Sequence, residues 1–166
     1  MQRADYVIVA MDTSTALNTL FDKPLQEKWA QKLAKGIDSE QCSLLSLGVK
    51  KDLSYLPSTL RIHLKEPVQM AGREYSTLWI YHYSNQDGFA PEGCSSLTVL
   101  FQGDTYDYWK QAKEDGTYMA KKQEFTLKAQ ELLAIYLTEI EGNVVVTDLA
   151  TPITYERYCN CFRGGY

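Results

Sequence analysis

The side chains best suited to hold a ligand stand close together in residues 79–83, WIYHY. In an extended chain alternate residues share a face, so Trp79, Tyr81 and Tyr83 are predicted to project from one side. Three aromatic rings on one sheet surface indicate a face for an apolar ligand or a partner domain, unless they pack against a helix. His82 stands among them as a proton donor to a ligand or as a histidine bonded within the sheet. All four are substrate-facing candidates.

Other signatures of catalysis are missing from the sequence. No Gly-x-Gly occurs, although a glycine-rich turn between a strand and a helix normally holds the pyrophosphate of a dinucleotide. The two histidines, His63 and His82, belong to no pattern of nucleophile, base and acid. Of the four cysteines only Cys159 and Cys161 are close in sequence, so the paired spacing of zinc ligands is not repeated. We therefore expect free thiols and no metal, and we assign no catalytic residue.

The composition of the 166 residues fits one globular domain, residues 1–166. The net charge of -4 and the pI of about 5.2 argue against nucleic-acid binding, which requires clustered Lys and Arg. No apolar run approaches the roughly 20 residues that a membrane-spanning helix needs, and no signal peptide follows Met1. We expect a soluble, cytoplasmic protein.

The elements that position these residues follow from the spacing of apolar side chains. Residues 6–11 favour a strand, and a first helix of about residues 15–21 follows. A second helix begins near Asp22, in which Leu25, Trp29 and Leu33 recur every four residues and should pack together. Residues 125–140 trace one apolar face of the longest helix, which should cover the sheet. Alternating apolar residues separated by turn formers predict four strands in residues 42–50, 59–65, 78–83 and 95–102. The prediction is an α+β fold, with an antiparallel sheet of about four strands covered by helices, one of them long and amphipathic.

The C-terminal residues 143–166, NVVVTDLATPITYERYCNCFRGGY, combine an apolar run, Thr151-Pro152 and a Gly-Gly pair. With residues 4–12, ADYVIVAMD, and Pro91-Glu92-Gly93 before a strand, this order resembles the phytoene desaturase and carotenoid isomerase-like flavoprotein oxidoreductases, which are related to the flavin amine oxidases. The resemblance covers most of the chain. Thr151-Pro152 also has a simpler explanation, because Thr caps helices and Pro is favoured in their first turn.

The resemblance implies that the chain is the substrate-binding part of a larger FAD-dependent oxidoreductase. Residues 1–12 and 143–166 would flank a missing FAD-binding domain of the same polypeptide, and strands near both ends would belong to that domain. Cys159-Asn160-Cys161 departs from the small or polar residues that relatives tend to have there. The residues implied to line the flavin are Thr151, Tyr155, Arg157 and Gly164, the last allowing close approach of the backbone.

The implied chemistry is hydride exchange between an apolar small-molecule substrate and the FAD of the parent enzyme, so the isolated chain is expected to hold no FAD and to be inactive. Two alternatives need no flavin. The sheet and the long helix would enclose an apolar ligand as a stand-alone binding module. Otherwise the chain is a structural domain that forms a homodimer through its aromatic face or exposed strand edges.

Overall fold

A computed structural model of the chain describes residues 4–83, 86 and 88–165. Five antiparallel strands form one sheet in the order β2-β3-β4-β1-β5. The predicted α+β fold is therefore confirmed, with one strand more than the four expected from alternation. The strands are β1 Cys42–Val49, β2 Thr59–Met70, β3 Arg73–His82, β4 Ser95–Gln102 and β5 Val144–Ala150.

One face of the sheet, which we call the inner face, carries the hydrophobic core. Paired residues of the five strands form a continuous apolar row across it, consisting of Leu60, Ile80, Val99, Leu45 and Leu149. The three central members of this row are 0% exposed. Burying each such side chain contributes about 1.5–3 kcal/mol, so this row is a principal source of stability.

Helices α3 and α4 supply the other half of the core. Phe125, Ala129 and Leu133 recur every four residues on α4 and are all buried, as an amphipathic helix requires. Trp109 of α3 is 0% exposed. The helices are α1 Thr13–Thr19, α2 Lys28–Leu33, α3 Tyr106–Glu114, α4 Tyr118–Ala134 and α5 Pro152–Cys159, and single 3-10 turns occupy Thr138–Ile140 and Phe162–Gly164.

A chain of aromatic rings joins the sheet to these helices. Phe101 of β4 meets Tyr75 of β3 edge-to-face, with ring centroids 5.4 Å apart, and meets Phe125 of α4 at 4.9 Å. Phe125 in turn lies 5.8 Å from Trp109, which packs at the same centroid distance against Tyr118. Each such pair adds about 0.5–1.5 kcal/mol beyond the area it buries, so the ring chain fixes how the helices lie on the sheet.

Two sequence predictions about the ends of the chain are corrected. Residues 6–11 form no strand, and Tyr6, Val7 and Ile8 are 91%, 78% and 93% exposed. In the part of the chain that the structure describes, no strand pairs with this run to satisfy its backbone groups. Residues 1–3 of the predicted N-terminal flank lie outside that part. The apolar run after residue 143 instead joins this sheet as its edge strand β5.

The other two corrections concern helices. The longest helix ends at Ala134 rather than continuing to Ile140, because the chain turns through Leu137 with φ -129 before the next 3-10 turn. Trp29 does not pack as its spacing predicted and is 56% exposed. Among the residues that the structure describes, no helix is both long enough and apolar enough to cross a membrane.

Adjacent residues of β1 test the assignment of the two faces. We expect Leu45→Ala to lower the free energy of unfolding by about 2–5 kcal/mol, because it empties space in the inner row. Ser46→Ala, one residue away on the opposite face, should change it by less than about 0.5 kcal/mol. Urea unfolding measures both, and equal losses from the two substitutions would contradict the assignment.

Candidate functional site

The opposite side of the sheet, which we call the outer face, presents rows of paired residues that differ from the inner row. The registers place Arg61, Trp79, Leu100, Leu44 and Ala150 in one row, and Thr59, Tyr81, Thr98, Ser46 and Asp148 in the next. Because neighbouring strands lie about 4.8 Å apart, a row across five strands is about 19 Å wide. The outer face is therefore a platform large enough for an extended ligand.

The aromatic residues of this platform remain accessible. Tyr81 is 36% exposed and Trp79 is half-buried, whereas Ile80 between them is 0% exposed on the inner face. The Arg61 guanidinium carbon lies 4.9 Å from the centroid of the Trp79 ring, a cation–π contact that orients the indole on the surface. The sequence prediction that Trp79, Tyr81 and Tyr83 share a face agrees with this geometry.

A groove continues the platform past Tyr83. The Tyr83 and Phe89 rings stack with centroids 5.1 Å apart and planes at 11°, so Tyr83 supports the segment that carries Phe89. Between this segment and β5 lies a space of about 370 Å³, whose lining includes Phe89, Pro91 and Val146. A Cβ at Gly48 would lie 3.2 Å from the Cβ of Val146, so glycine at this position leaves room for the valine beside the groove.

His82 does not share the outer face with the three aromatic residues. It follows Leu78 and Ile80 on the inner side of β3 and is 3% exposed. Burial lowers the pKa of His82 below its ordinary value, and the negative charge of Asp52 offsets part of that effect. The structure therefore places His82 in the core, where a neutral imidazole is favoured, and not against a ligand on the platform.

The four residues implied to line a flavin come together around α5 but differ in exposure. Thr151 precedes the helix and is 0% exposed, its hydroxyl lying 2.7 Å from that of Tyr118. Its amide donates to Thr154 Oγ1 at 3.1 Å, and Pro152 opens the helix as predicted. Arg157 is exposed, with its guanidinium carbon 5.1 Å from the centroid of the Tyr158 ring.

Gly164 is buried against the start of the same helix. A Cβ there would lie 2.0 Å from the Pro152 carbonyl oxygen, and its φ of +64° also favours glycine. Tyr155, the fourth of these residues, is half-buried and bonds to the buried Cys42 thiol, whose pKa burial raises to about 11. Close approach at Gly164 is thus satisfied within the chain itself.

Arg163 holds this C-terminal segment in place, and the sequence prediction missed it. Its guanidinium donates to both carboxylate oxygens of Asp107 at 3.1 Å, pairs with Asp38 at 3.3 Å and with Asp104 at 3.4 Å, and lies 4.7 Å from the Tyr106 ring centroid. The Arg163 guanidinium, through its hydrogen bonds, lowers the pKa of Asp107. No short-range pattern reveals this cluster, because its members are far apart in sequence.

Asp12 connects the N-terminal segment to the same C-terminal segment. Its carboxylate accepts from the Ser14 hydroxyl at 2.7 Å, from the Thr15 amide at 2.8 Å and from the Phe162 amide at 3.2 Å. Burial would raise the pKa of Asp12, but these hydrogen bonds lower it below its ordinary value. The start of α1 is therefore fixed to the segment that follows α5.

The side chains of the platform are better suited to bind a ligand than to transfer protons. Its aromatic rings stack on flat apolar groups, and Thr98, Ser46 and Asp148 add hydroxyls and a carboxylate at its other end. Within residues 4–83, 86 and 88–165, no group of three or more His, Cys, Asp or Glu side chains is arranged to hold a metal ion.

Comparison with known protein families places most of the chain in one of them. A family model described as flavin containing amine oxidoreductase matches residues 1–121. The matched stretch contains four of the five strands, including β3 with its aromatic residues, and ends within α4. A search of the curated proteins finds no match.

The buried His82 generates a pH prediction. Because its pKa is lowered in the folded chain, the unfolded chain takes up a proton below about pH 6.5 that the folded chain resists. The contribution of neutral His82 to the free energy of unfolding is therefore fully present above about pH 6.5, and it is lost as the pH falls below that value. We expect the free energy of unfolding to fall between about pH 7.5 and about pH 5.5, and to fall less in His82→Gln. Urea unfolding at both pH values measures this, and an equal fall in both proteins would contradict it.

Proposed function

The chain belongs to the flavin-containing amine oxidoreductases, and from this premise we propose that it forms the substrate-side wall of an FAD-dependent oxidoreductase acting on an apolar substrate. The observation that carries the proposal is the outer face, where Trp79 and Tyr81 remain accessible on a sheet whose other side carries the hydrophobic core. Apolar area of this kind marks a ligand-binding or domain-facing surface. We propose that the outer face both binds the substrate and faces the partner domain.

The proposed partner is an FAD-binding domain of the same polypeptide. The 166 residues contain no Gly-x-Gly turn of the kind that holds a pyrophosphate, and we propose that the partner domain supplies the residues that bind the pyrophosphate of FAD. When bound, FAD would supply the hydride exchange with the substrate. The contribution of this chain is to bind and orient the substrate and to exclude water from it.

The exposed N-terminal segment supports such a partner. Tyr6, Val7 and Ile8 are almost fully exposed in succession, and Leu20 and Trp29 nearby are 53% and 56% exposed. Consecutive apolar side chains in water are unfavourable, by about 25 cal/mol for each Å² that a partner would cover. We propose that the FAD-binding domain packs against this segment and pairs with residues 6–9 as a strand.

The residues near α5 fit a flavin site unequally. Thr151 and Gly164 are buried within the chain's own packing, so their proposed role is to shape the segment. Arg157 is exposed and has surface to offer the cofactor, whereas the Tyr155 hydroxyl is buried and bonds to Cys42. A guanidinium suits the phosphates of FAD, so Arg157 is the one of these four residues for which we propose direct contact with the cofactor.

The proposed substrate is an extended, largely apolar molecule of the kind that phytoene desaturase-like enzymes take. A platform about 19 Å wide matches an elongated molecule better than a compact one. Stacking on Trp79 and Tyr81 would hold a flat conjugated segment, and the groove beside Phe89 would receive its end.

The same groove also supports a second candidate, a stand-alone module that binds an apolar ligand without flavin. Its space of about 370 Å³ lies within the usual size range of small-molecule sites. The two candidates differ in whether the outer face becomes covered by another domain when FAD is present.

Substitution of the platform aromatics tests the substrate class. We expect the chain to bind all-trans-retinol, a neutral conjugated polyene, and expect Tyr81→Ala with Tyr83→Ala to weaken binding on the order of 10-fold through lost stacking. Quenching of tryptophan fluorescence on titration measures the affinity.

The matched control is Tyr55→Ala, which removes a tyrosine that is 63% exposed outside the platform rows. Its affinity for retinol should equal that of the wild type, and urea unfolding should show that each variant is folded. Equal weakening by Tyr55→Ala, or no binding by the wild type, would contradict an apolar ligand on the platform.

A further inference from the structure

The turn that ends α5 brings two cysteines together. Asn160, between Cys159 and Cys161, caps the helix in the left-handed conformation, with φ 54 and ψ 30. These angles are close to the mirror image of those of a right-handed helical residue. The Cα atoms of Cys159 and Cys161, on either side of Asn160, are therefore as far apart as residues i and i+2 of a helix. With a radius of about 2.3 Å and a rise of about 1.5 Å per residue, helical geometry places those atoms about 5.4 Å apart. Disulfides join Cα atoms about 4.4–6.8 Å apart, so this separation lies within the range that a disulfide spans.

Both thiols have access to solvent. Cys159 is exposed and Cys161 is half-buried, with its Sγ donating to the Tyr155 carbonyl oxygen at 3.6 Å. Burial raises the pKa of the Cys161 thiol, and the neighbouring Cys159, which shares a hydrogen bond with it, raises it further. Both thiols are free and the other two cysteines, Cys42 and Cys94, lie elsewhere in the fold.

We propose that Cys159 and Cys161 form a reversible dithiol site that is oxidised to an intramolecular disulfide by small-molecule disulfides such as glutathione disulfide. The exposed Cys159 thiolate attacks one sulfur of glutathione disulfide, and one glutathione leaves as its thiolate. Cys161 then gives its proton to solvent and attacks the Cys159 sulfur, releasing the second glutathione. Two cysteine thiols are oxidised and one glutathione disulfide is reduced to two glutathiones.

The position of this site gives the oxidation a structural consequence. The Asn160 carbonyl oxygen accepts from the Thr15 hydroxyl at 3.2 Å, and two residues later the Phe162 amide donates to Asp12. A disulfide across Asn160 would fix the left-handed turn that presents both groups. Oxidation would therefore strengthen the junction between the N-terminal segment and the segment that follows α5, whether or not the proposed flavin function holds.

The test exposes the folded wild-type chain to glutathione disulfide, quenches with acid, alkylates the remaining thiols after unfolding, and measures intact and peptide masses. The expected product has lost two hydrogens, carries no glutathione, and resists alkylation only at Cys159 and Cys161. In Cys161→Ser, which lacks the second thiol, glutathione should stay on Cys159 at a level on the order of 10-fold above the wild type. Cys94→Ser should behave as the wild type does.

The wild-type product alone decides the outcome, so the result does not depend on how well the variants fold. Glutathione that stays on Cys159 while Cys161 remains a free thiol would overturn the proposal. Failure of both cysteines to react, or a disulfide that joins two chains, would overturn it equally.

Discussion

The register of β4 between β3 and β1 is the constraint on which the rest of the structure depends. It aligns Val99 with Ile80 on one side and with Leu45 on the other, so that the inner row is apolar across the sheet. A slip of one residue would turn every side chain of a strand to the opposite face. Polar residues such as Thr98 and Ser46 would then enter the core, and the helices would lose the surface on which the aromatic chain docks them.

The alternation of side chains between the two faces of the sheet also forms the candidate site. Once Ile80 points to the helices, Trp79 and Tyr81 must point away from them. The residues at the other end of the chain are ordered by longer connections, in which Arg163 gathers three aspartates and Asp12 binds the Phe162 amide. The platform is thus built by local periodicity, and its surroundings by contacts between distant segments.

This division explains how much the sequence could predict. Most of strands β1 to β4, the helical face of α4 and the sharing of a face by Trp79 and Tyr81 follow from spacing, which is local. The hairpin that extends β2 to Met70 and begins β3 at Arg73 was not predicted, because residues 66–77 show no such alternation. Whether residues 6–11 and β5 join a sheet depends on which strand is available to pair with them. The spacing of apolar residues does not identify that strand. His82 is a ligand-facing candidate by its neighbours in sequence, but it alternates in step with Ile80 and lies on the inner face, in keeping with the alternative of a histidine held within the sheet. The ion pairs of Arg163 and the groove at Phe89 form between residues that are far apart in sequence, so no local sequence pattern predicts them.

Oxidative footprinting of the outer face by mass spectrometry tests the central claim, that this face meets substrate beside a flavin-binding domain, most directly. The comparison is between the isolated chain and an FAD-loaded protein that carries this chain together with an FAD-binding domain. The account predicts that Trp79, Tyr81 and Tyr83 are oxidised more slowly in the FAD-loaded protein, while Tyr55 and Met119, on other surfaces, are oxidised at unchanged rates. Unchanged rates at the three aromatic residues, with protection of Met119 on α4 instead, would contradict it.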